Sequence, residues 1–357
     1  MQLRYSAELP RMRAPAMAGA SFAQPGYAGA MAPRRADPAA LHTLAGETMG
    51  TTWRVRLANP RLRPLEEARA IVEAALAAVV RQMSHWEPAS DLSRYNRAPA
   101  GSWHLLAPGF FTVLDAALRW ARASGGALDP TVAPLVALWG FGPHARTGGP
   151  RVPDARAIAA ARAQVGHARL ALRPADRAAL QPGGAQLDFS GIAKGYAVDL
   201  AALALRDAGW SDCLVEVGGE LRASGQRPDG LPWRVAVAAM PHNAAGAAPP
   251  LALRGQAIAT SGDHWHAFEH AGERYAHTID PRTGAPARHA LAAVTVVHAE
   301  CMHADALATV LTVLGPQEGA AFAEAYGVAA LFCVRGPQGP VLTATTAFAA
   351  LQPGNGS

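Results

Sequence analysis

Lysine is almost missing from this chain: of its 32 Lys and Arg residues a single one, Lys194, is lysine. Cysteine is scarce as well. Cys213, Cys301 and Cys333 are odd in number and none belongs to a CxxC pair, so neither a disulfide framework nor a thiolate zinc site is expected, and the three read as small buried apolar residues. No stretch reaches the roughly 18 consecutive apolar residues of a membrane-crossing helix, which predicts no transmembrane span. The formal net charge of +5 comes from scattered arginines. Without a dense basic run, the electrostatic footprint of a nucleic-acid binder is missing and no nucleic-acid partner is expected. There is no internal repeat and no linker long enough to impose two independent domains.

What is present is a chain of 357 residues, half of them apolar and 17% charged, enough to bury a substantial core. Residues 14–32 are small and weakly apolar behind Arg11 and Arg13, but Gln24, Pro25 and several glycines interrupt the run, and no cysteine follows that could carry a lipid. Residues 1–40 are therefore expected to be a disordered or mis-started N-terminal segment, with export as the alternative, and residues 41–350 the folded domain. Periodicity predicts a strand over Thr51–Leu57 and a helix over 65–83, whose start is marked by Pro64 and two glutamates. Further helices are expected over about 108–124, 153–164, 193–208 and 302–314, the last closed by Gly315-Pro316. The stretches "ARLAL", "CLVEV", "WRVAVA", "QAIATS", "YAHTI", "AAVTVV" and "ALFCV" read as short strands, and 241–250 as a surface loop. The class this implies is α+β, mostly antiparallel β-sheets with packed helices.

Chemistry concentrates in four places. In "LDFSGIAKGYAVD" a strand ends, Gly191 and Gly195 permit close backbone approach, and a helix begins whose free N–H groups favour an anion. Lys194 in its first turn is a point cation suited to phosphate. An exposed lysine beside turn-forming glycines is the plain alternative, but a bias towards arginine that spares one position favours a function there. "LVEVGGELRASG" sets Glu216 and Glu220 around Gly218-Gly219, which a tight hairpin explains, although an acid beside a glycine pair can also hold a ribose hydroxyl. The spacing departs from GxGxxG, so a Rossmann fold is set aside.

In "TSGDHWHAFEHAGERYAHTIDPRTGAP", His264, His266, His270 and His277 stand with Asp263 and Asp280. His266 and His270 lack the glutamate of HExxH, so a zinc centre is not expected. Asp280-Pro281 opens a turn that Gly284 closes, which fixes His277 near a strand end as a general-base candidate. Finally, "CMHADALATVLTVLG" puts Asp305 and Thr309 on one helical face. They are either hard-cation ligands or a dipole-favoured carboxylate with a threonine bonded back to its own helix.

Taken together, the segments "GETMGTTW", "MSHWEPASDLSRYN", "GALDPTVAPLVALWGFG", "LDFSGIAKGYAVD", "LVEVGGE", "ATSGDHW", "YAHTIDPRTGAP" and "ADALATVLTVLG" resemble, in order over residues 46 to about 320, the FAD:protein FMN transferases of the ApbE type. The resemblance implies an ApbE/T-fold-like α+β catalytic domain over 41–350. It also implies an enzyme that uses FAD as substrate with Mg²⁺, transferring FMN to a Thr or Ser hydroxyl of an acceptor protein and releasing AMP. The implied acceptor is a subunit of a membrane redox complex. By the same resemblance the metal ligands fall on Asp305, Thr309 and the carbonyl of Ala193, and the catalytic residues on His277, Lys194 and Asp280. The FAD site takes in Met49, Trp86, Asp129, Ser190, Lys194, Gly218, Glu220, Ser261 and Asp263. Three positions depart from the family pattern: Ser190-Gly191 replaces a double glycine, Glu216 stands where Asn is common, and Trp86 where Tyr is usual. The family is often a periplasmic lipoprotein. With no lipobox here a cytoplasmic location is expected, a periplasmic or inner-membrane-associated one being the alternative. The same site chemistry leaves two other activities to distinguish, a Mg²⁺-dependent FAD pyrophosphatase and a non-catalytic FAD carrier.

Overall fold

Every second residue of Thr51–Ala58 faces the interior, which is what a strand with one solvent-facing side requires. This strand is the second (β2) of eight in the main sheet of the computed structural model, which describes residues 40–142, 151–237, 250–263 and 267–351. The others are β1 (Leu41–Thr48), β3 (Cys213–Val217), β4 (Glu220–Ser224), β5 (Ala257–Gly262), β6 (Leu291–His298), β7 (Ala329–Gly336) and β8 (Gly339–Ala344). They lie side by side in chain order and every neighbouring pair is antiparallel. Two tight turns shape one end of this sheet. Gly218-Gly219 joins β3 to β4, as the glycines predict, and Met49-Gly50 joins β1 to β2 with both residues at positive φ, 49° and 72°.

Four long helices cover one face: α1 (Leu65–Met83), α2 (Pro108–Ala123), α3 (Ala193–Asp207) and α4 (Cys301–Ala325). The apolar stripe of α1, Ala68, Val72, Ala75, Leu76, Val79 and Met83, is buried against α3, and α3 packs in turn on α4 and on β3 and β4. α4 lies over β5 and β6, where Leu307 and Leu311 meet Val294 and Val296. On the opposite face a two-stranded ladder of Trp233–Val235 with Leu251–Leu253 buries Trp233 against Ile258 and Val297. The observed architecture is therefore the expected α+β arrangement of antiparallel sheet and packed helices.

Three expectations are corrected. The last helix does not stop at Gly315-Pro316 but continues to Ala325 through a kink at Gly315, whose φ is 79°. Pro316 has no N–H to give the carbonyl of Thr312, and His289 Nε2 takes its place at 2.7 Å. "ARLAL" yields a strand only at Ala171–Arg173, because the backbone N–H groups of Gly166 and His167 are drawn onto Thr131 and Asp129 and the segment begins as a single 3₁₀ turn. "YAHTI" divides between two ladders, Glu273–Ala276 with Ala267–His270 and Ile279–Asp280 with Ala285–Pro286, leaving His277 in the break. Of the expected loop 241–250, residues 241–249 lie outside the described residues, as do residues 1–39, His264 and His266.

Replacing His289 with alanine is expected to lower stability by about 1–3 kcal/mol, the cost of leaving the Thr312 carbonyl without its donor. Thermal unfolding followed by circular dichroism measures it. An unchanged melting temperature would mean that the histidine carries no share of the kink.

Candidate active site

A cavity of about 870 Å³ opens where the starts of α3 and α4 meet the β1–β2 and β3–β4 turns. Its volume lies towards the upper end of the range for small-molecule sites. Its floor is the passage into α3. There Asp188 anchors the chain by donating its N–H to the Pro130 carbonyl at 2.8 Å, while its Oδ1 accepts the Ser190 N–H at 2.7 Å. This Asx turn presents Ser190 and Gly191 to the cavity and releases the chain into the helix.

The two glycines here have no left-handed backbone; they are required by close approach. A Cβ on Gly191 would come within 2.7 Å of Thr309 Oγ1, and one on Gly195 within 2.3 Å of the Cys301 carbonyl oxygen and 2.8 Å of Asp305 Cβ. The first turn of α3 thus lies directly on the first two turns of α4, and Gly195 N–H donates to Asp305 Oδ2 at 2.9 Å. Sequence spacing had put Asp305 and Thr309 on one face. The structure turns that face to the cavity, with Ala193 and Lys194 beside it.

Lys194, half-buried, is the cation between two buried carboxylates. Its Nζ bonds Glu220 Oε1, and Asp305 and Glu220 both favour its charged form. Burial pulls the ammonium pKa down, but the two carboxylates outweigh that and raise it. Burial also pushes the Glu220 carboxyl up, to about 7, with Lys194 opposing and Asp305 adding to the shift. Asp305 is raised by its complete burial and held back by Lys194 and the Gly195 N–H. Two buried carboxyl groups share one ammonium, and Glu220 Oε2 is buried without a hydrogen-bond partner. Both features suit a further cation or donor in the cavity. Among the described residues no group of three or more His, Cys, Asp or Glu is placed to hold a metal ion. What is available is an open set of hard oxygen donors, the kind that takes Mg²⁺ together with substrate phosphates.

His277 also lines the cavity, and its ring stands 6.4 Å from that of Phe141 at 72°. Trp86, 64% exposed, offers a ring face at the rim, and Met49, Gly218 and Ser261 complete the lining. Asp129 also borders the cavity, but its oxygens are already engaged. They accept from Thr131 N and Oγ1 at 2.8 and 2.6 Å and from His167 N and Nδ1 at 2.8 and 3.0 Å, which ties the wall segment at Asp129 to the 3₁₀ turn at His167 behind it.

Two of the site residues implied by the resemblance, Asp280 and Asp263, are not on the cavity surface. Asp280 binds Arg282 through both carboxylate oxygens and accepts the Gly284 N–H on its carbonyl, so it shapes the turn after His277. Asp263 bonds Arg335. Among the lining residues that sequence reasoning did not single out are His85, adjacent to Trp86 in the chain, and Phe141, whose only sequence signal is its place in the "WGFG" of a matching segment.

The site lies within a span of known type. The ApbE family profile matches residues 49–332. The FAD:protein FMN transferase of Vibrio cholerae is 37% identical over 312 residues, 87% of this chain and 92% of that protein. That of Haemophilus influenzae is 36% identical over 313 residues, 86% and 90% of the two chains. Among solved structures, the apo flavinyl transferase ApbE of Pseudomonas stutzeri superposes with a TM-score of 0.80 at 41% identity, covering 87% of this chain and 96% of that one. The ApbE protein of Thermotoga maritima gives 0.76 at 28% identity, covering 87% and 99%. Every lining residue discussed, from Met49 to Thr309, falls inside the matched span, and on both sequence and fold this chain belongs to the ApbE family.

Proposed function

We propose that this protein is a flavin transferase that moves the FMN half of FAD onto a Thr or Ser hydroxyl of an acceptor protein through a phosphoester bond and releases AMP. The observation that carries this reading is the cavity itself, which joins a lysine at a helix start, an open oxygen-donor set and a histidine on one surface. In this reading Trp86 stacks on the flavin, and Lys194 with the first turn of α3 binds the pyrophosphate. Asp305, Thr309 and the Ala193 carbonyl hold Mg²⁺, which when bound supplies charge stabilisation to the phosphates.

His277 takes the proton of the acceptor hydroxyl as its oxygen attacks the phosphorus of the FMN half. The bridging P–O bond breaks and AMP leaves with the bonding electron pair. Lys194 balances the negative charge that develops on the departing phosphate. Ser190, Glu220 and Ser261 contribute polar contacts to FAD. Asp280 and Asp263, being engaged by arginines, act through the shape of the walls. Among the described residues no helix is long and apolar enough to cross a membrane. An acceptor belonging to a membrane redox complex, met from the cytoplasmic side, is part of the same proposal.

Incubating the protein with FAD, Mg²⁺ and a membrane fraction is expected to leave acid-stable flavin fluorescence on an acceptor band in a denaturing gel, with AMP released in step. AMP release at the same rate without acceptor would make it a pyrophosphatase instead. FAD recovered unprocessed would make it a carrier.

A further inference from the structure

α3 and α4 both begin without a side-chain cap of their own, since neither Ile192 nor Glu300 bonds the first free N–H groups of the helix that follows. Each helix is capped instead by a carboxylate from the other. Asp305 of α4 accepts the Gly195 N–H at the start of α3. Asp199 of α3 accepts the N–H groups of Cys301 on Oδ1 and Met302 on Oδ2, both at 2.9 Å, at the start of α4. Arg222 of β4 closes the arrangement, bonding Asp199 Oδ1 at 2.5 Å.

From this exchange we infer that Asp199 is a positioning residue for the metal-binding group: it fixes the start of α4, and hence Asp305 and Thr309, against Ala193 and Lys194. The inference rests on the metal reading given above. Asp199 lies six residues beyond Ala193, about 9 Å along the helix, and so does not itself reach the cavity ligands. It is absent from the cavity lining. Its influence is geometric. With two helix-start N–H groups on one buried carboxylate, the ends of α3 and α4 cannot slide past each other, and the first-turn dipole of α4 is met by a negative charge. The close approach at Gly195, where a Cβ would strike the Cys301 carbonyl at 2.3 Å, leaves no slack for another arrangement. Loss of such outer support around a metal site commonly weakens metal affinity by about 10–100-fold.

The test is a titration of Mn²⁺ into the full chain saturated with FAD, without acceptor, with free Mn²⁺ read by electron paramagnetic resonance. Wild type is expected to bind and Asp305→Ala to fail. Asp199→Asn, which keeps size and one acceptor, is expected to raise the Mn²⁺ dissociation constant about 10-fold or more, with the transfer rate recovering at saturating metal. A purely structural role would lower the melting temperature and leave that constant within twofold of wild type, which overturns the inference while the metal reading stands. Absence of Mn²⁺ binding in wild type would overturn the metal reading and this inference with it. Should Asp199→Asn fail to fold, Arg222→Gln gives the same readout with a smaller shift expected, about threefold. No shift in that variant overturns the inference.

Discussion

Asp305→Ala is expected to lower FMN transfer by about 10³-fold or more, measured as fluorescent acceptor and AMP released at saturating FAD and Mg²⁺. Asp305 is buried at the start of α4 with one oxygen on the Gly195 N–H, so its removal has two consequences of different kinds. The backbone donor loses its acceptor, which costs about 1–3 kcal/mol of stability. The cavity loses one of the two buried carboxylates beside Lys194 and the one that shares a helical face with Thr309. Asp305→Asn separates these effects: the amide oxygen can still accept from Gly195, but the charge that attracts a hard cation is gone. A folded Asn variant as inactive as the Ala variant would locate the defect in cation binding. Full activity in the Ala variant would sink the metal assignment.

Much of this arrangement was legible in the sequence because it depends on local signals. Pro64 and Pro108 mark the helix starts and Gly125 follows a helix end, so α1 and α2 were placed almost to the residue. Spacing put Asp305 and Thr309 on one face, and the matching segments brought Lys194, Glu220 and His277 into one site. What was not legible depends on pairings that no local rule specifies, most of them with partners distant in sequence. The continuation of α4 past Pro316 requires His289, which precedes β6, to supply the missing donor. Asp280 and Asp263 are acidic and near the expected site, but Arg282 and Arg335 claim their carboxylates, and no local rule tells a paired aspartate from an available one. Asp199 lies in the quoted motif "AKGYAVD", yet its partners, Cys301 and Met302, are about a hundred residues away and are backbone groups, which sequence patterns do not display.

Lys194→Arg is the test of the rarest residue in the chain, and turnover of FAD is expected to fall on the order of 10²-fold although charge is conserved. The Lys194 Nζ bonds one oxygen of Glu220, and the carboxylate of Asp305 is close enough to bias its ionisation. An ammonium is compact and carries three donors in different directions, so it can hold Glu220 and still face a phosphate. A guanidinium is a planar fork whose geometry matches a single carboxylate. Arginine here would take both Glu220 oxygens, including the Oε2 that now has no partner, and would fill the space between Glu220 and Asp305 with a rigid group. The variant should therefore fold well, with a melting temperature near that of wild type, and fail in catalysis. Lys194→Met supplies the comparison, since it removes the charge and leaves two buried carboxylates uncompensated. If shape is what matters, Arg will be stable and slow, whereas Met will be both unstable and slow. Wild-type turnover in Lys194→Arg would mean that the single lysine among 32 basic residues serves no purpose that arginine cannot.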